Sequence, residues 1–280
     1  MRGARTMAVA VRHPEEQIIV KKTPLNEALY RGPISRIPFL RGLIMLWDAL
    51  GLGMKALMMS ADVATEEEEV SLSGPAAWGT VAVSVIIAMS LFMALPSFLA
   101  GLAAPYLPAE WIVSLLEGIV RLFLIVGYIW AIGYIPDIQR VFAYHGAEHK
   151  TIHAYEAGME LTVEEVRRFS TAHTRCGTAF LLTLVVLTTL IFAPFKPPSL
   201  MWRIASRIIL LPVISGISYE FIRLTGRLAD RDWMQVIIAP NLALQRLTTR
   251  QPDDSMLEVA IQALKAVLAD EKSLVSETPE

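Results

Sequence analysis

The 280-residue chain has a single cysteine, Cys176, which excludes an internal disulfide framework and a cysteine-rich zinc site. Charge is also scarce: 19 % of residues are Asp, Glu, Lys or Arg, against about 25 % in a soluble domain. The 25 basic and 27 acidic side chains leave a formal net charge of −2, without the basic excess of a nucleic-acid-binding domain. The first 37 residues lack an apolar core region, so no secretory signal peptide is expected. No internal repeat or low-complexity tract is visible. What the chain has in abundance is apolar surface. Hydrophobic residues make up 54 % and the mean hydropathy is +0.47, which excludes a disordered chain and points to an integral membrane protein.

A bilayer core takes about 20 mostly apolar residues per helix, and four stretches qualify. The first runs over 70–108, with 78–104 free of ionisable side chains and Pro96 expected to kink or break the helix. The second, 112–135, carries Glu117 and Arg121 four apart on one helical face, where they can pair. The third is 177–195, closed by the PFKPP breaker, and the fourth is 204–224, interrupted by Pro212 and Gly216. Segment 38–61 contains Arg41, Asp48 and Lys55 at helical spacing, so it reads as an amphipathic interfacial helix, with a fifth span or re-entrant hairpin as the alternative. Lysine and arginine number nine over 1–77, five over 136–176 and six over 225–280, while the connections 105–111 and 196–202 hold only Lys196. That bias places both termini and the 136–176 loop on the cytoplasmic side of the membrane.

The expected fold is therefore mainly α: a polytopic membrane protein of about four transmembrane helices, with amphipathic helices and a small N-terminal β-hairpin. The hairpin is expected within 1–37, from MAVAVR and QIIVKK around a break at Pro14, and should dock on other structure. Residues 38–69 supply the interfacial helix and an acidic linker, Glu66–Glu69. Residues 70–224 form the bundle with its histidine-rich loop at 136–176. Residues 225–280 form a C-terminal segment whose last helix is capped by Asp253 or Asp254, with Leu257, Ile261, Leu264 and Leu268 along one face.

Four of the five histidines fall between His145 and His173. His145, His149 and His153 are four apart, so they climb one helical face at about 6 Å per step, and the outer two lie about 12 Å apart. Two neighbours can share one metal ion, whereas three in a row cannot easily do so. The string His145-x-x-Glu148-His149 is also that of the inverted zincins, in which the histidines bind zinc and the glutamate is the general base. His153 or His173 is expected as a further ligand, with Glu156, Cys176 and Glu220 as additional candidates. The competing account is a polar helix face, a packing cysteine, and a Glu220 paired with Arg223. Arg246 and Arg250 are candidate phosphate or lipid-headgroup contacts, or interfacial anchors beside the last helix cap. A membrane di-iron desaturase would need about eight histidines in several boxes, more than the five present.

The strings AVAVR, IPFLRG with GMKAL, YHGAEHKTIHAYE, TVEEVRRFSTAHTRCGT, GISYEFIRL and QRLTTRQPDD resemble the YqhQ-like family of bacterial membrane proteins over nearly the whole chain. This is a domain-of-unknown-function family described as predicted metal-dependent enzymes. The resemblance implies metal dependence and supplies no substrate. The family pattern begins upstream of the Met-Arg-Gly that opens this chain, so a preceding segment is expected. The combined expectation is a divalent-metal protein, zinc foremost, hydrolysing a lipid or peptide at the cytoplasmic membrane face, with Glu148 activating water. A non-catalytic scaffold with a structural metal or polar network is the rival, and an ion transporter using Glu117, Arg121 and Glu220 is the third.

Overall fold

The computed structural model describes residues 1–13, 15–30, 32–64, 75–174 and 176–275. Pro14, the acidic run Glu66–Glu69 and the start of the first expected span at Val70 lie outside the described residues. In chain order the elements are β1 (Thr6–Arg12), β2 (Ile18–Pro24), α1 (Glu27–Tyr30), α2 (Pro33–Arg36), α3 (Leu40–Trp47), α4 (Gly53–Ala64), α5 (Pro75–Met89), α6 (Leu95–Ala103), α7 (Glu110–Ile132), α8 (Pro136–Glu156), α9 (Val163–Arg167), α10 (Gly177–Phe192), α11 (Leu200–Ile209), α12 (Leu211–Arg227), α13 (Asp232–Thr248) and α14 (Asp254–Val275). They fall into two compact units. One comprises Met1–Leu72, Gly133–His173 and Gln245–Glu280; the other comprises Ser73–Ile132 and Thr174–Leu244. The N-terminal hairpin and the C-terminal helix, expected as separate segments, thus share a unit with the histidine-rich helix.

In the first unit β1 and β2 pair antiparallel, Thr6 opposite Pro24 and Arg12 opposite Ile18. A lone hairpin is marginal in water, and this one packs on α14. Met7 and Ala8 are buried, and Ala4 N–H, Arg12 and Lys22 reach Glu271, Glu258 and Asp270. Exposed ion pairs contribute little, so the apolar contact is what holds the ribbon. The 3.6-residue period of α14 buries Leu257, Ile261 and Leu264 as expected; Val267 takes the buried place foreseen for Leu268, which is half-exposed. Helix α14 packs against α8 and α9 as well, and Leu257, Ala260 and Ile261 form one core with Ala147, Ala154 and Val166.

Helix α8 is defined at both ends by local chemistry. Pro136 forces Ile135 to extended backbone (φ −76°, ψ 125°) and occupies the first helical turn, where a missing N–H costs nothing. At the other end Gly158 takes φ +69°, and Met159 N–H returns to Ala154 O at 2.9 Å, a Schellman stop. Gly146 is needed for close approach: a Cβ there would lie 2.2 Å from the Arg250 carbonyl oxygen. Helices α3 and α4 run on through a π turn at Asp48–Leu52, and Asp48 accepts from Arg2 (2.5 Å) and Tyr30. This is the amphipathic segment read at 38–61.

In the second unit α5 and α6 join through a π turn, Ser90–Ala94, into an apolar helix of 29 residues, Trp78–Tyr106. Pro96 does not break it, contrary to expectation. Proline removes the N–H that would reach the carbonyl four residues back and crowds that carbonyl. The π turn precedes Pro96, and the stranded Phe92 oxygen accepts from Arg121 Nε at 2.9 Å. Helix α7 has 23 residues. Among the described residues these two helices are long and apolar enough to cross a membrane. Helices α11 and α12 qualify together but meet at 51°, with Pro212 in the first turn of α12. Helix α10 has 16 residues, about 24 Å at 1.5 Å per residue.

The C-terminal cap offers a direct test. Asp253 accepts from Met256 N–H (2.9 Å) and Ser255 Oγ (2.7 Å), and these bonds hold its carboxyl below the usual aspartate range. A folded pKa below the unfolded one stabilises above the unfolded pKa and is lost as pH falls through the folded pKa. Asp253→Ala should cost about 1 kcal/mol at neutral pH by denaturant unfolding, and the difference should shrink as pH falls below about 4. Gly146→Ala should destabilise by about 1–3 kcal/mol in the same assay.

Candidate metal centre

The first unit gathers its histidines by satisfying backbone carbonyls. Residues 168–173 leave the end of α9 and cross the polar face of α8 without regular structure, so their carbonyls and that of Arg167 need partners from side chains. Lys150 Nζ donates to Arg167 O (2.8 Å) and Phe169 O (2.6 Å). His149 Nδ1–H donates to Thr171 O (2.5 Å), and His153 Nε2–H donates to Ala172 O (2.7 Å). His145 Nδ1–H donates to Thr248 O at 2.9 Å, at the end of α13. Gln245, fully buried, accepts from His173 N–H (2.9 Å) and donates back to His173 O (2.8 Å).

A carbonyl only accepts, so each of these ring nitrogens must carry its proton. The tautomers follow: Nδ1–H at His145 and His149, Nε2–H at His153. In the neutral form of each ring the other nitrogen bears the lone pair, which is how outer hydrogen bonds prepare histidine for a metal. The rings meet edge-on or tilted along the helix and across to the crossing segment, with centroids 4.4 Å apart for His145–His149, 5.7 Å for His149–His173 and 4.7 Å for His153–His173. Phe169 lies parallel to His153 at 6.5 Å.

His153, Glu156 and His173 each bring one ligand atom within 4.8 Å of the others, and His173 Nε2 is 3.2 Å from Glu156 Oε2. A tetrahedral zinc ion with bonds of about 2.0–2.1 Å sets its ligand atoms roughly 3.4 Å apart, so small side-chain rotations close the set. Burial pushes the His173 pKa down, against the raising hydrogen bond from Glu156, which favours the neutral, ligating ring near pH 7. Desolvation likewise lowers the pKa of Lys150. Two imidazoles and one carboxylate suit a divalent cation.

The remaining expected residues are placed as follows. Glu148 is exposed and lies about 140° around α8 from His153 at 100° per residue. Cys176 belongs to the second unit and caps α10, its Sγ accepting from Thr178 N–H at 3.4 Å. Glu220 is half-buried on α12, also in the second unit. Arg246 is exposed. Arg250 donates to Gly133 O at 2.7 Å, and its own N–H bonds Phe142 O. Lys150 and Gln245 had no motif to flag them.

Within the second unit, Glu117 does pair with Arg121 at 2.7 Å, as their spacing allowed. Its carboxylate also takes Arg207 Nε and Nη2, both at 3.1 Å, and Ser97 Oγ at 2.9 Å. Arg207 lies 4.0 Å from the Phe192 ring centroid. Arg203 bonds Glu110.

A family model described as "Protein of unknown function (DUF1385)" matches residues 37–270. The chain is 33 % identical over 279 residues, 95 % of its length and 88 % of the relative's, to "Uncharacterized protein YqhQ" of Bacillus subtilis (strain 168). No solved structure matches.

The Gln245 clamp predicts that Gln245→Ala, which leaves both backbone groups of His173 unsatisfied, costs about 2–4 kcal/mol. Amide hydrogen exchange should rise across 167–173; unchanged protection there would show that the clamp does not hold the segment.

Proposed function

The chain belongs to the family of proteins of unknown function DUF1385, and from that premise we propose that it is an integral membrane protein holding a divalent metal ion at His153, Glu156 and His173. The observation that carries this reading is the convergence of those three ligand atoms, with the His153 ring oriented by the Ala172 carbonyl and His173 Nε2 beside Glu156 Oε2. Residue type, neutral charge state and outer hydrogen bonds all fit a cation, zinc foremost.

We place the protein in the cytoplasmic membrane of a bacterium, with four spans and both termini inside. The lysine and arginine bias supports that orientation. Only 11 % of the most apolar window of Trp78–Tyr106 is buried within the protein. Apolar exposure on that scale suits hydrocarbon better than water. The 16 residues of α10 would need local bilayer thinning or flanking polar residues to cross, at modest cost.

The chemistry proposed is hydrolysis of a lipid or peptide at the cytoplasmic interface. A divalent ion with three protein ligands would supply Lewis acidity to such a reaction. His153, Glu156 and His173 would hold the ion, and the carbonyl of Ala172 would hold the His153 ring. Glu148 is the proposed base; it stands apart from the ligand group, and its role rests on its place in the H-x-x-E-H string.

A structural clasp is the second reading, favoured by one observation: every ring on α8 already gives its proton to a backbone carbonyl. Transport has less support, because the Glu117 carboxylate is held by two guanidiniums and a hydroxyl.

Metal analysis of the purified full-length protein should find about one divalent ion per chain. His153→Ala and His173→Ala should lose it, and Glu148→Gln should keep it. Absence of stoichiometric metal overturns the metal centre. Metal retention with undiminished cellular function in Glu148→Gln removes the hydrolase reading and leaves the clasp.

A further inference from the structure

In the second unit a cavity of about 310 Å³ opens beside the start of α11. That volume is at the lower end of small-molecule sites. Phe98, Leu102 and Leu200 form its apolar side; Glu110, Ser199 and Arg203 form its polar side.

Arg203 is the telling residue. Its side chain is only 6 % exposed, Nη2 bonds Glu110, and Nη1 is buried with no hydrogen-bond acceptor. Glu117 Oε2 is 3.5 Å from Nη1 and already serves Arg207, while Oε1 takes Ser97, Arg121 and Arg207. Among the described residues the ion-paired set therefore contains three buried guanidiniums (Arg121, Arg203, Arg207), the buried carboxylate of Glu117 and the partly exposed one of Glu110, an excess of one positive charge. Arginine does not relieve burial by losing its proton. A net excess of charge in a largely buried set is costly, and in a membrane protein it marks a site.

The start of α11 adds a second positive feature. Ser199 caps this ten-residue helix, accepting from Trp202 N–H at 3.2 Å, and the first-turn amides and helix dipole favour an anion there. The cavity thus combines a guanidinium from this positively charged set, a helix N-terminus and an apolar wall.

We propose that this cavity binds an anionic phospholipid bearing one net negative charge. Its phosphate is received by Arg203 and the α11 N-terminus, and its acyl chains lie along Phe98, Leu102 and Leu200. The lipid supplies the missing charge, and its tail accounts for the apolar wall. A free phosphate would use only the polar side. Placing the cavity near the outer membrane face rests on the orientation proposed above, but the charge match does not.

The test is native mass spectrometry of the full-length protein in mild detergent, titrated with phosphatidylglycerol, phosphatidylcholine or sodium phosphate. One phosphatidylglycerol per chain should bind at a concentration roughly tenfold or more below that for phosphatidylcholine, as expected for a charge-assisted contact. Arg203→Gln should abolish the preference. Gly101→Phe fills the cavity while keeping every charged side chain of the set, so it should abolish binding even where Arg203→Gln fails to fold. Equal retention of the two lipids overturns the proposal, as does a preference that survives Gly101→Phe. Displacement of the lipid by sodium phosphate at equal concentration would show an inorganic anion site and overturn the lipid assignment. Loss of metal from the first unit leaves this readout unchanged, so the two proposals fail separately.

Discussion

The first unit depends on one constraint: the carbonyls that follow the end of α9, with no helix or strand to bond them, must find donors where the chain packs on α8. Residues 167–173 meet that requirement with side chains rather than with a ladder. Lys150, His149, His153 and Gln245 each bond the segment, and they do so from two helices. The same bonds fix which ring nitrogen carries the proton and bring His173 beside Glu156. Structure and candidate chemistry are therefore not separable here: the outer hydrogen bonds of a metal site are also the bonds that hold the chain crossing.

The second unit solves a related problem in apolar surroundings. Pro96 strands a carbonyl, and Arg121 answers it with Nε while giving Nη2 to Glu117. Glu117 in turn recruits Arg207 and Ser97. A proline that would weaken a helix in water is tolerated because a buried cation supplies the absent donor. Breaking this network by removing one partner would leave a buried charge, which is far more costly than never having placed it there.

Much of the local structure was legible in the sequence because it is set by short-range rules. Alternating Val and Ile gave the hairpin, spacing of four gave the histidine face, Asp253 gave the cap, and Pro212 marked the bend at α12. Glu117 and Arg121 were paired from spacing alone. What sequence could not show was long-range. Gln245 lies 72 residues from His173, and Arg207 lies 90 from Glu117. Carbonyl acceptors have no letter, so the partners of His149 and His153 were invisible. The H-x-x-E-H string drew attention to Glu148, whereas geometry gathers Glu156, whose single-residue context carries no motif. Pro96 misled because the compensating donor sits on another helix.

The composition of the first unit also bears on the order in which the protein can be made. Its core joins α8 to α14, and its hairpin rests on α14, so both wait for the last twenty-odd residues of the chain. During synthesis the histidine face of α8 leaves the ribosome long before the helix that packs behind it. The ladder of rings is then a surface made before the helix that supports it, and an ion held as proposed would be captured only once α14 has packed.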